Sequence, residues 1–352
     1  MTLRQSLLVL LLPLLGAALS GCDLSGTTGG PEAPSVTGVY VANQGNFGDG
    51  NGAVTVYNPS TEQLRPRAVR GLASIVQGIT VRDTTLLVMA NSAARIDVFS
   101  TDGPTQTGQV TGVTSPRYAA FTGPATAYVT DQSFTGPSAV RVLDLSGGQP
   151  RVVSTIPVSG SPEGIAVAGD RAYAALGAFA DTSLVAAIDV GQNALDDEID
   201  VGCTPRDVVA DGTGDVFALC SDAAEAVVLD ARSGTVQTRL SLPDTAETAF
   251  GVGDPASYTA AAEELHVTTD TGVIRIDTRS DAVDALLDVG LSSAPGAVAY
   301  DAARQALYVA RLPDAPFTER GTVTIHDRGG TQTGSFQAGI APTAIDFRQA
   351  QP

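Results

Sequence analysis

Lysine is absent from the 352-residue chain: its 20 basic residues are all arginine, against 38 acidic ones, for a net charge of −18. A nucleic acid would need a positive stripe for its phosphates. No basic cluster occurs, so no nucleic-acid partner is expected. Such acidity serves solubility, including in a salty habitat. Histidine and cysteine are scarce too, at two and three residues. His266 and His326 lie inside apolar strand-like runs and read as packed, hydrogen-bonded core residues. No Cys/His metal cluster can be assembled, and no metal or cofactor is expected. No serine stands in a nucleophile elbow, and no glycine-rich loop follows a strand and opens a helix, so no catalytic residue is assigned. Residues 48–52 offer oxygen ligands but lack the distant bidentate acid of a calcium loop, and read as a turn. No stretch holds the period of an amphipathic helix for long.

The long apolar run, residues 7–19, follows Arg4 at the N-terminus. It is too short and too terminal to cross a bilayer, and residues 1–21 read as a secretion signal. Leu19-Ser20-Gly21-Cys22 resembles a bacterial lipobox. The resemblance implies that Cys22 becomes the acylated first residue of a membrane-anchored envelope protein, on the outer membrane, periplasmic or surface-exposed. Incidental placement of Cys22 in a secreted protein is the alternative. Residues 22–35, rich in glycine, threonine and proline, form a tether, leaving residues 36–352 as one domain.

What the chain has in abundance is repetition. Pro162-Glu163-Gly164-Ile165-Ala166-Val167 has relatives starting at positions 76, 116, 205, 255, 295 and 342. Spacings of about 40–50 residues belong to solenoids and propellers. Each unit contains four short β-branched runs with period-two alternation, separated by Gly, Asp, Asn or Pro, which is the make-up of a propeller blade. The first unit opens at Val39 on a second-strand signal. The chain ends on residues 342–347, a first strand with no unit to follow. Pairing the two closes a ring of seven four-stranded blades and removes its open edges. The expected fold is thus an all-β seven-bladed propeller. Within it, Cys203 and Cys220 fall at the open end of a hairpin turning at residues 211–214, where an oxidising compartment favours a disulfide contributing about 3 kcal/mol.

Tyr128-Val129-Thr130-Asp131, the run from Val140 to Asp144, and Ser161-Pro162-Glu163-Gly164-Ile165 together resemble the YVTN-type propeller repeat of bacterial surface proteins. Asn43-Gln44-Gly45-Asn46-Phe47-Gly48 and Ser115-Pro116-Arg117-Tyr118 are similar to segments of a lipoprotein propeller family of Bacteroidetes-like bacteria. That family commonly has Glu where Gln44 stands. Some of its members capture vitamin B12 for an outer-membrane transporter. The resemblance therefore implies a non-enzymatic binding protein, with cobalamin or another corrinoid as one ligand and a transporter as one partner.

Repeats also supply an internal control. Asp144, Asp189, Asp230, Asp277 and Asp327 all follow a third strand, so they read as turn residues that bond their own backbone. Bulky or charged residues that break the pattern gather on one face, where second-to-third connections and entries to first strands emerge together. These are Asn46, Phe47, Gln77, Arg117, Tyr118, Phe134, Glu163, Phe179, Arg206, Arg311 and Phe317. Rings and convergent polar groups at one mouth describe a ligand site. The alternatives are an interaction or structural module meeting another envelope protein through this face, and an enzyme of the propeller lactonase or quinoprotein type.

Overall fold

The computed structural model describes residues 33–179, 182–243, 256–269, 272–290, 295–314 and 317–350. They form seven four-stranded antiparallel sheets, with a single 3-10 turn at Asn91–Ala93 as the only helix among them. The sheets are blades, and their innermost strands follow the repeated motif. In blades 2 to 7 these are Val76–Arg82, Pro116–Gly123, Ile165–Ala168, Pro205–Ala210, Ala256–Thr259 and Pro295–Asp301. Blade 1 takes its innermost strand, Pro342–Gln349, from the C-terminus and pairs it with Val36–Asn43 in the register Val39↔Phe347 to Ala42↔Ala344. The ring closes as the unpaired ends of the sequence require.

The two middle strands of each blade are buried on both faces because each blade is stacked between two others. An apolar cluster fills each of the seven blade-to-blade contacts. The cluster at the closure joins Val39 and Val41 to Tyr308, Val323 and Ile345. Closure is therefore packed as well as hydrogen-bonded. The outermost strands are exposed and polar, as in Ala194–Asp200, whose helix-like composition yields to pairing with Leu184–Asp189.

All five repeated aspartates are turn residues. Asp230, for example, accepts the backbone N–H groups of Arg232 at 3.1 Å and Ser233 at 2.7 Å. Asp144, Asp189, Asp277 and Asp327 do the same in their own turns. His326 is packed and hydrogen-bonded, its ring nitrogens 2.9 Å from the Gly330 carbonyl and 2.8 Å from Thr324 Oγ1. His266 departs from that expectation. It is buried against the Tyr300 ring, 4.7 Å between centroids, yet its Nδ1 has no partner. Its Nε2 lies 3.8 Å from Glu264 Oε2, too far for a hydrogen bond.

Burial, aided by Arg275 and Arg328, holds the His266 ring down at about 3. The folded state thus keeps His266 neutral where the unfolded chain would protonate it. Its contribution is complete above pH 6.5 and is lost as pH falls towards 3. The loss over that window is about 4 kcal/mol by linkage. Phe217 fills the equivalent site of blade 5, so His266→Phe should remove the loss. Denaturant unfolding of both proteins between pH 7 and 4 should show the variant's stability declining less. Parallel curves would refute it.

Candidate functional site

The second-to-third connections and the entries to the innermost strands share one end of the ring, and there blades 2 to 5 bring seven of the eleven expected residues together. Arg117 is the hub. Its Nε donates to Glu163 Oε2 at 2.8 Å, its Nη2 to Glu163 Oε1, and its Nη1 to Gln77 Oε1 at 2.7 Å. Gln132 donates its Nε2 to Glu163 Oε2 at 2.7 Å and to the Pro162 carbonyl at 3.1 Å. Gln77 in turn donates to the Tyr118 hydroxyl at 3.3 Å. Burial opposes charge on Arg117, but Glu163, by charge and hydrogen bond, outweighs it and keeps the guanidinium firmly protonated.

Above this floor stands an apolar ledge. Phe179 and Phe134 are 61% and 73% exposed, with ring centroids 5.9 Å apart in an edge arrangement. The guanidinium carbons of Arg117 and Arg206 lie 5.7 Å and 5.6 Å from the Phe179 centroid, within cation–π range. Local sequence explains the placement. The loop carrying Phe179 is stitched to both neighbouring blade entries, Ala178 N–H to the Ser161 carbonyl at 3.2 Å and Gly177 N–H to the Pro205 carbonyl at 3.0 Å. A Cβ on Gly177 would lie 2.6 Å from that Pro205 oxygen, so glycine permits the approach. The entry carrying Arg206 is held by the Cys203–Cys220 disulfide, with Cα atoms 5.7 Å apart. Asp131 accepts the N–H groups of Thr114 and Ser115 at 2.7 Å and anchors the entry carrying Arg117.

Four of the expected residues do not join this cluster. Arg311 is spent on architecture: it donates to the carbonyls of Val289 and Gly290 and to Thr324 Oγ1, and burial lowers its pKa. Asn46 is folded onto its own loop, its Nδ2 donating to Asp49 Oδ2 at 2.9 Å. Phe47 is 78% exposed in blade 1. Phe317, in blade 7, is half-buried with its N–H on the Asp314 carbonyl. Neither ring contacts another aromatic among the described residues. Gln77, Tyr118 and Glu163 are in the cluster but buried, so they position Arg117 rather than meet solvent.

Below the mouth runs an axial cavity of roughly 340 Å³, lined by innermost strands of six blades and including Tyr118, Gly164, Asp207, Ser257 and Asp346. Gly164 lies so close to Asp207 that an added Cβ would sit 1.8 Å from Oδ1. Side chains link blade to blade around the axis. Asp346 Oδ2 accepts Val81 N–H at 2.6 Å, Thr80 donates to the Ala119 carbonyl at 2.8 Å, and Thr259 to the Tyr300 carbonyl at 3.0 Å. Burial pushes the Asp346 carboxyl up to about 6, against the pull of the Val81 and Phe347 N–H groups. Asp346 is half-buried at the cavity wall, with Oδ2 held by Val81 N–H and Oδ1 by Phe347 N–H at 2.7 Å. Because its folded value lies above the unfolded one, its contribution is full below pH 3.8 and lost as pH rises through 6. It therefore partly offsets the His266 effect.

Sequence reasoning missed Gln132, Asp207 and Asp346. Asp346 carries a signal: Ala120, Ala166, Val209 and Ala299 occupy its position in other blades. The only grouping of potential metal-ligand atoms among the described residues, Cys203, Cys220 and Glu225, has both sulfurs in the disulfide.

No protein-family model and no curated protein matches the sequence. Solved structures do match. A functionally unknown protein from Desulfotomaculum acetoxidans aligns at 12% identity over 90% of this chain and 100% of its own, with a TM-score of 0.71. The periplasmic gluconolactonase of Pseudomonas aeruginosa aligns at 16% over 90% and 99%, with a TM-score of 0.69. A Bacteroides uniformis protein provisionally assigned as a 6-phosphogluconolactonase aligns at 11% over 89% and 100%, with a TM-score of 0.67. Identities this low speak for architecture alone: the chain is a seven-bladed β-propeller whose structural neighbours include propeller lactonases.

Proposed function

We propose that this protein is a non-enzymatic binding propeller that captures a small molecule on the looped face of blades 3 to 5. One observation carries the reading. Phe179 is an exposed ring set between two guanidiniums and beside a second exposed ring, on a loop pinned to two blade entries. Solvated loops do not need such rings, whereas aromatic and Arg anchors dominate binding energy when a surface is covered. Native mass spectrometry of the full chain, purified in detergent, should show a co-purified molecule that Phe134→Ala/Phe179→Ala loses. Cobalamin is the occupant to look for first, on the sequence resemblance. Equal retention by the double variant would refute the site. Capture of an outer-membrane transporter with no small molecule would favour the interaction-module reading.

The likeness to lactonase propellers motivates a second reading, hydrolysis of a sugar lactone. Turnover of gluconolactone by the purified chain would favour it over capture. Cys22 lies outside the described residues. Anchoring through it in a bacterial envelope is part of the proposal, and Cys22→Ser should move the protein from the membrane to the soluble fraction. A variant still found in membranes would contradict the anchor.

A further inference from the structure

Arg206 and Arg117 share a ring but differ in their partners. Arg117 is neutralised by Glu163. Arg206 is half-buried, and its Nη1 donates to the Ala178 carbonyl. No carboxylate among the described residues lies within ion-pair distance of it, and its Nε has no acceptor. Burying a cation without a counter-charge is unfavourable. Among the arginines without an ion pair in the described residues, Arg206 is the one beside the exposed Phe179 ring.

From this we infer that the ligand is a small organic anion, a carboxylate carried on a flat apolar body. Its charge meets Arg206 and its body covers Phe134 and Phe179. The Arg206 Nη1 is held by the Ala178 carbonyl and its Nε is buried, so what Arg206 offers a carboxylate is its positive charge beside the Phe179 ring. The field of the whole molecule repels anions, so selection falls to this local cation, and the rings supply the apolar area that charge alone lacks. This inference rests on the looped-face reading and gives it a ligand class.

Calorimetric titration of the full chain at low salt with 1-naphthoate, and with the neutral 1-naphthalenemethanol as control, tests it. Naphthoate should bind about tenfold or more tightly than the alcohol, and more weakly as salt is raised. Arg206→Gln should cost naphthoate about tenfold or more, and Arg206→Lys less, because Lys keeps the charge without the planar fork. Phe179→Ala should weaken both probes. Circular dichroism melting of each variant checks that it folds, and Arg206→Lys keeps the test available should Arg206→Gln not fold. Equal binding of acid and alcohol, indifferent to Arg206→Gln but weakened by Phe179→Ala, would overturn the anionic class and leave the looped face standing. Naphthoate binding indifferent to Phe179→Ala would overturn the looped face itself. No binding of either probe would overturn the anionic aryl class.

Discussion

Ending the chain after Ala341 should abolish the soluble, cooperatively melting protein. The deleted strand is the innermost of blade 1, so its loss exposes the hydrogen-bonding edge of Val36–Asn43 along the axis. It also removes buried Ala344 and Ile345, and Phe347, whose ring meets Tyr308 edge-on at 5.6 Å. Asp346, which ties blade 1 to blade 2 through Val81 N–H, goes with it. Each large apolar side chain contributes about 1.5–3 kcal/mol. A typical domain has only about 5–15 kcal/mol in total. The exposed edge would then template aggregation. Expression followed by thermal melting decides it. A truncated protein melting like the full chain would mean that the ring does not depend on its C-terminal strand.

Glu163→Ala should be the most damaging single substitution at the mouth, destabilising by about 3–5 kcal/mol, as when one partner of a buried ion pair is removed. The Arg117 and Glu163 side chains are 13% and 9% exposed, so solvent screens little of their interaction. Without Glu163, Arg117 keeps Gln77 as its one side-chain hydrogen-bond acceptor, and the amide of Gln132 loses one of its two acceptors. The melting temperature should fall by roughly 5–10 °C. Arg117→Ala/Glu163→Ala should cost less than the two single changes added together, because neither charge is left unpaired. Additive losses would show that the pair is not coupled.

The fold was legible because a propeller writes one supersecondary unit seven times. Val76, Pro116, Pro162, Pro205, Pro295 and Pro342 mark blade entries, and the orphan strand at the C-terminus demands closure. Asp230 and its four equivalents were assigned to turns by repetition alone. The site was only half legible. Subtracting repeat residues singles out what a blade does not require, but convergence depends on where loops bend. Arg311 looked like Arg206 in sequence, yet the carbonyls of Val289 and Gly290 claim it, and a carbonyl's position leaves no mark on side-chain identity. Phe47 and Phe317 sit in blades 1 and 7, away from the loops that gather around Phe179. Asp346 was within reach: the same subtraction applied to strand interiors exposes it, because alanine, valine or threonine holds that place in the other repeats. Gln132 was not, since nothing in the sequence distinguishes a loop glutamine that supports Glu163 from one that faces water.

The most direct measurement is a crystal structure of the full chain with the molecule that co-purifies with it. Density covering Phe134 and Phe179 and reaching the Arg206 guanidinium is the expected result. The same molecule found only on the opposite face or against the outer strands, with the Phe179 ledge bare, would contradict the assignment of this face as the binding site.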